Sequence, residues 1–154
     1  GLGADEIAGV PDSNEWSIPL GRRFRALKLW FVIRHYGLEG LRAKIRDHVA
    51  WARELAGLVE ADPDFDLVTT PILSLFTFRW RPASFVGDEA ALDDLNARLV
   101  EAINADGRLY LTQTRHAGRF VIRFQVGQTD TTREDVLAAW AAIREIAAGL
   151  PHAG

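Results

Sequence analysis

Arg22, Arg23, Arg25 and Lys28 place four cations within seven residues of a chain whose formal charge is −3. Pro19 and Gly21 precede them and an apolar pattern follows, so they fall in the first two turns of a helix. That end of a helix carries partial positive charge and favours anions. Surface pairing with Asp12 or Glu15 would return only about 0–1 kcal/mol, against about 0.3–1 kcal/mol lost per exposed cation. The cluster is therefore expected to meet an anion or an acidic partner from outside the chain. Nucleic acid fits poorly, because the protein is net acidic and the cationic segment is short. Arg123 is the second candidate. In Arg119-Phe-Val-Ile-Arg-Phe-Gln-Val126, the residues Phe120, Ile122, Phe124 and Val126 share one face, and Arg123 stands on the other between Val121 and Gln125. A guanidinium binds carboxylate bidentately, but spacing alone favours an ordinary exposed strand arginine.

Other chemistries fail on spacing. Asp62, Asp64 and Asp66 alternate as in a calcium loop, yet Leu67 occupies the place of the turn glycine and Leu73 that of the closing glutamate. The four histidines, His35, His48, His116 and His152, show no ligand spacing. His48 lies on an apolar helix face, as a core or interface residue would. There are no cysteines, which excludes disulfides and thiol nucleophiles. No glycine-rich phosphate loop and no Gly-x-Ser-x-Gly elbow is present. Lysine chemistry has two candidates, Lys28 and Lys44, against sixteen arginines.

The elements that must position these residues follow from periodicity. A helix is expected over about 22–36, apolar nearly all round in its second half (Leu29 to Ile33) and so buried on several sides, with Gly37 as its stop. A second helix, about 38–61, turns Leu41, Ile45, His48, Val49, Ala52, Leu55 and Val59 inward. Strands are expected at 65–70 and 73–80 with Pro71 between them, a third helix at 88–105, and a hairpin of 109–115 and 119–126 around Ala117-Gly118. Thr131 and Glu134 are spaced as a capping box for a last helix ending near Ala148. The order argues an α+β domain: a mainly antiparallel sheet of about four strands with helices packed on one face.

The chain has 154 residues, 48% of them hydrophobic and 25% charged, enough for one folded domain. No apolar run reaches the length of a membrane span, and a cytoplasmic setting is the default expectation. The sequence contains no methionine, so it is expected to be a piece of a longer protein.

The segment EWSIPLGRRFRALKLWFVIRHYGLEGLRAKIRDHV, Glu15 to Val49, resembles the region that follows the cofactor lysine in group II pyridoxal-phosphate-dependent decarboxylases, with the aromatic L-amino-acid branch most similar. FTFRW (Phe76 to Trp80) resembles a small-domain strand of that family, and RFVIRFQVGQTDTTREDVLAAWAAI (Arg119 to Ile143) its closing strand and helix. The likeness covers nearly the whole chain. It implies fold type I of the pyridoxal-phosphate enzymes: a large cofactor-binding domain, a small C-terminal α+β domain, and an obligate homodimer. Residues 1–21 would link from the large domain, and 22–154 would form the small domain with its interdomain helix.

The family's Schiff-base lysine follows a histidine, and neither Lys28 nor Lys44 does. The resemblance therefore implies that this lysine belongs to the large domain, as do the aspartate at the pyridine nitrogen and the ring-stacking histidine. Pyridoxal 5'-phosphate would be bound by the parent, and this chain alone would be inactive. Leu20 and Gly21 would line the substrate pocket of the neighbouring subunit. Histidine decarboxylases tend to carry serine where Gly21 stands, and glycine leaves room for a larger aromatic substrate. Arg123 matches a strand arginine that reaches a substrate carboxylate in glutamate decarboxylases. Arg22, Arg23 and Arg25 would face the large domain and the dimer partner. The implied activity is decarboxylation of an aromatic L-amino acid; the alternatives are a related decarboxylase or aldehyde synthase with another substrate, or a stand-alone dimerisation or regulatory domain. An exposed Trp30–Phe31 face would favour the fragment reading.

Overall fold

A computed structural model describes residues 25–151. Its elements are α1 (Arg25–Ala61), β1 (Phe65–Ile72), β2 (Leu75–Trp80), α2 (Glu89–Asp106), β3 (Thr112–His116), β4 (Arg119–Gln125) and α3 (Arg133–Gly149). They fall into two compact units, the first ending at Leu41 and the second beginning at Arg42.

In the first unit, α1 is interrupted at Gly37, whose φ of 67° and ψ of 168° are not helical. Glycine carries no Cβ and takes positive φ without strain, so the break expected there is present, though helix resumes at once. The expected burial of the preceding turns is not found. Leu29, Trp30, Phe31 and Ile33 are 58%, 51%, 58% and 40% exposed. Trp30 instead meets Phe31 edge-on at 5.1 Å and carries the Arg34 guanidinium 5.2 Å above its ring. Apolar positions all round a helix signal burial only if other elements cover them, and the described residues of this unit form the helix alone.

The second unit is a four-stranded antiparallel sheet of order β1-β2-β4-β3. Alternation along β2 and β4 sends Phe76, Phe78, Trp80, Ile122 and Phe124 to one face. There they join Ala52, Leu55 and Val59 of α1, Leu92, Leu99 and Ile103 of α2, and Trp140 and Ile143 of α3 in one apolar cluster. All three helices therefore pack on one face of the sheet, as the element order implied. The part of α1 that reaches this core begins at Trp51, which packs against it partly buried; Ile45, expected inward, is 51% exposed.

Several boundaries move for identifiable reasons. Pro71 lies within β1 rather than between strands; β1 is an edge strand, where a missing N–H is tolerated. The connection to β2 is the two-residue turn Leu73–Ser74, and Leu73 has φ 54°, a conformation that costs a non-glycine residue about 1–2 kcal/mol. The third strand starts at Thr112, not Leu109, because the Asn104 side chain takes both backbone groups of Leu111. The Leu111 N–H donates to Asn104 Oδ1 at 2.8 Å, and Asn104 Nδ2 donates to the Leu111 carbonyl at 3.0 Å. The hairpin turn is as expected, with φ 49° at Ala117 and 80° at Gly118, the signs of a type I′ turn. The last capping box is shifted by one residue to Thr132 and Asp135.

Surface ion pairs tie α3 to its neighbours. Arg133 Nε donates to Glu54 of α1 at 2.8 Å, and Arg108 bridges Asp106 and Glu145. The hydrogen bond from Arg133 holds the Glu54 carboxyl below its ordinary 4.5, and the Thr132 N–H and hydroxyl hold Asp135 below 3.8. Depressed carboxylates contribute stability above the unfolded value, and that contribution is lost as pH falls through the folded value. The urea midpoint is therefore expected to hold down to about pH 4.5 and to drop below it; Glu54→Gln should flatten that drop, as midpoints measured at pH 6 and pH 3 will show.

Candidate functional site

The sheet face opposite the helices carries polar side chains in register. Thr69 opposes Thr77, Thr77 opposes Arg123, and Arg123 opposes Thr112, so one row crosses all four strands. The bulge at Thr69 brings its hydroxyl 2.9 Å from that of Thr77, and the Thr77 N–H donates to Thr69 Oγ1 at 3.0 Å. Thr77 is thereby fixed at only 8% exposure. Arg123 is half-buried in the centre of this row. Arg79, Arg81, Arg108, Arg115, Arg133 and Arg144 each pair with a carboxylate, whereas Arg123 has no carboxylate partner among the described residues. A half-buried guanidinium flanked by hydroxyl groups is equipped to take a carboxylate through two parallel N–H bonds.

The buried counterpart escaped sequence reasoning. Arg79 was legible only as the alternate-face residue of FTFRW. It is 1% exposed and donates through Nη2 to Asp93 Oδ1 at 2.7 Å and through Nη1 to Glu89, both on α2. Its Nε is buried without a hydrogen-bond partner. Asp93 also accepts from Arg115 at 3.1 Å and from the Phe120 N–H at 2.9 Å. This hub is structural: β2 and β4 pair only as far as Phe78 and Ile122, and beyond that point α2 supplies the partners. Asn96 Oδ1 accepts from the Trp80 N–H at 2.7 Å and its Nδ2 donates to the Trp80 carbonyl at 2.9 Å. The signal that could have revealed it is an acidic first half of α2, Glu89 and Asp93, facing a strand arginine.

The aspartates of the failed calcium pattern are occupied by the fold. Asp62 caps the Asp64 N–H and pairs with Arg144, Asp64 accepts from the Ala83 N–H, and Asp66 pairs with Arg81. Among the described residues no three His, Asp or Glu side chains gather as a metal site. His48 is half-buried against Trp51, with ring centroids 5.7 Å apart. No described helix is long and apolar enough to cross a membrane. Leu20, Gly21, Arg22 and Arg23 lie outside the described residues, as does the side chain of Arg25.

Comparison with known proteins places these observations. A family profile for the pyridoxal-dependent decarboxylase conserved domain matches residues 2–81. Tyrosine decarboxylase 4 of Petroselinum crispum is 42% identical over 149 residues, covering 96% of this chain and 29% of the relative. Phenylacetaldehyde synthase of Arabidopsis thaliana is 41% identical, covering 93% and 29%. Among solved structures, Oryza sativa TDC with PLP and tryptamine superposes with a TM-score of 0.75 at 36% identity, over 91% of this chain and 30% of that one. The chain thus spans under a third of the length of the relatives it matches.

Proposed function

Since the chain belongs to the pyridoxal-dependent decarboxylase family, we propose that it is the C-terminal small domain of a cytoplasmic, homodimeric decarboxylase of aromatic L-amino acids, with 1–21 as the link from the large domain. The observation that carries this reading is the 42% identity to a tyrosine decarboxylase over 96% of the chain. The open apolar face of Leu29, Trp30, Phe31 and Ile33 supports it, because apolar patches of this kind mark a missing partner. Large domain and dimer partner would cover that face and meet Arg22, Arg23 and Arg25.

The described residues do not themselves fit pyridoxal phosphate. Lys44 is the lysine whose side chain is described, and its amine donates to the Thr129 carbonyl. The cofactor and its lysine would then belong to the remaining polypeptide. This chain would contribute a pocket wall through Leu20 and Gly21 and a carboxylate contact through Arg123. The full-length protein, assayed with tyrosine, tryptophan, DOPA, phenylalanine, histidine and glutamate, should release carbon dioxide from an aromatic substrate. No release from any of the four aromatic acids would sink the proposal.

A second reading is favoured by the 41% identity to phenylacetaldehyde synthase: the same assay would then yield aldehyde in place of amine. In either case Arg123→Gln should lower kcat/KM by about 10–100-fold, the loss of one charge-assisted contact, with an unchanged melting temperature. Unchanged kcat/KM would remove Arg123 from the site.

A further inference from the structure

We infer that the tip of the β1–β2 hairpin, Ile72–Leu73, is an apolar plug that seats in the remaining part of its own subunit; this rests on the reading above that such a part exists. Ile72 is 75% exposed and Leu73 73%. A two-residue hairpin loop with positive φ at its first central position is ordinarily filled by glycine, yet leucine stands there with φ 54°. Backbone strain and apolar exposure both count against leucine when nothing covers it. A strained residue of this kind is characteristic of a site that engages something.

The tip is held in place. The Val126 N–H donates to the Ser74 carbonyl at 3.0 Å, and Ile72 opposes Leu75 across the turn. Leu75 in turn opposes Gln125, two residues along β4 from Arg123. The knob is therefore presented at a fixed position, at the sheet end that bears Arg123. The tip residues Ile72 and Leu73 are apolar and the segment from Thr69 to Leu75 carries no charged side chain, so the socket proposed for the tip is apolar. The rest of the polypeptide is the occupant to which the observations lead, because this chain accounts for only 29% of a relative's length. A copy of the same tip would set one convex knob against another, with no groove to receive either.

The test uses the intact, cofactor-loaded enzyme. Leu73→Cys should react with a maleimide at least tenfold more slowly than Glu101→Cys, a control on the exposed face of α2, with labelled sites read by peptide mass spectrometry. Leu73→p-benzoylphenylalanine should crosslink without doubling the chain mass. Equal labelling rates overturn the plug, and a crosslink at dimer mass overturns it by giving the socket to the other subunit. If Leu73→Cys does not fold, Ile72→Cys carries the same comparison. Carbon dioxide release by the unsubstituted enzyme is scored separately, so failure of the activity reading is distinguishable from failure of the plug.

Discussion

Asp93→Ala lowers the folding stability of this chain by about 3–5 kcal/mol, the range for removing one partner of a buried ion pair. The cause is not the pair's own attraction, which roughly offsets the desolvation of two ions. It is what remains: Arg79, 1% exposed and already lacking a partner for Nε, keeps its charge with only Glu89 beside it. The Phe120 N–H loses its acceptor in the same step. Urea unfolding followed by tryptophan fluorescence reads this directly, since Trp80 and Trp140 are both buried. Replacing both partners, as in the double variant Arg79→Met with Asp93→Leu, should cost less than Asp93→Ala alone, because the charges left without a partner, on Glu89 and Arg115, are exposed. A loss below about 1 kcal/mol for Asp93→Ala would class the pair with exposed ones and refute the hub.

Asn96→Leu should cost about 2–5 kcal/mol. The side chain is fully buried and serves three backbone groups: the Trp80 N–H, the Trp80 carbonyl and the Leu92 carbonyl. Leucine keeps the branched outline and heavy-atom count but is bulkier, so part of the cost is overpacking of a filled site. The two Trp80 groups then lose their bonds to residue 96, at about 1–3 kcal/mol each, and the Leu92 carbonyl retains its place in the helix. Asn96→Asp separates the terms: it keeps an acceptor for the N–H but presents no donor to the carbonyl. If Asn96→Leu proves neutral by urea unfolding, water has reached the strand end and the bracing role is wrong.

These two residues also mark where the sequence was legible and where it was not. Strand and helix existence followed from period, because Phe76, Phe78 and Trp80 alternate and Leu92, Leu95, Leu99 and Ile103 repeat at helical steps, and those positions are buried. The turn at Ala117-Gly118 was legible because local backbone geometry decides it. The start of β3 was not, because a side chain of another element sets it: Asn104 of α2 removes Leu111 from the sheet. Nor was the way Asn96 and Asp93 of α2 take over where β2 and β4 part. Burial of Leu29 to Ile33 was misjudged for the same reason, since period reports an apolar surface and not whether anything covers it. Of the candidate site, Arg123 could be placed on a face, but its lack of a carboxylate partner, which Arg119 of the same strand shares among the described residues, appears only in the structure.

The strand order carries a consequence for synthesis. Chains leave the ribosome from the N-terminus, so β1 and β2 emerge as a hairpin long before β4, which must lie between β2 and β3. Until residues near Gln125 are free, β2 presents an unpaired backbone edge, with Phe76 and Phe78 beside it. Such edges recruit other chains. Translation must run through the whole of α2, β3 and β4 before that edge can close, and chaperone demand should peak over that interval.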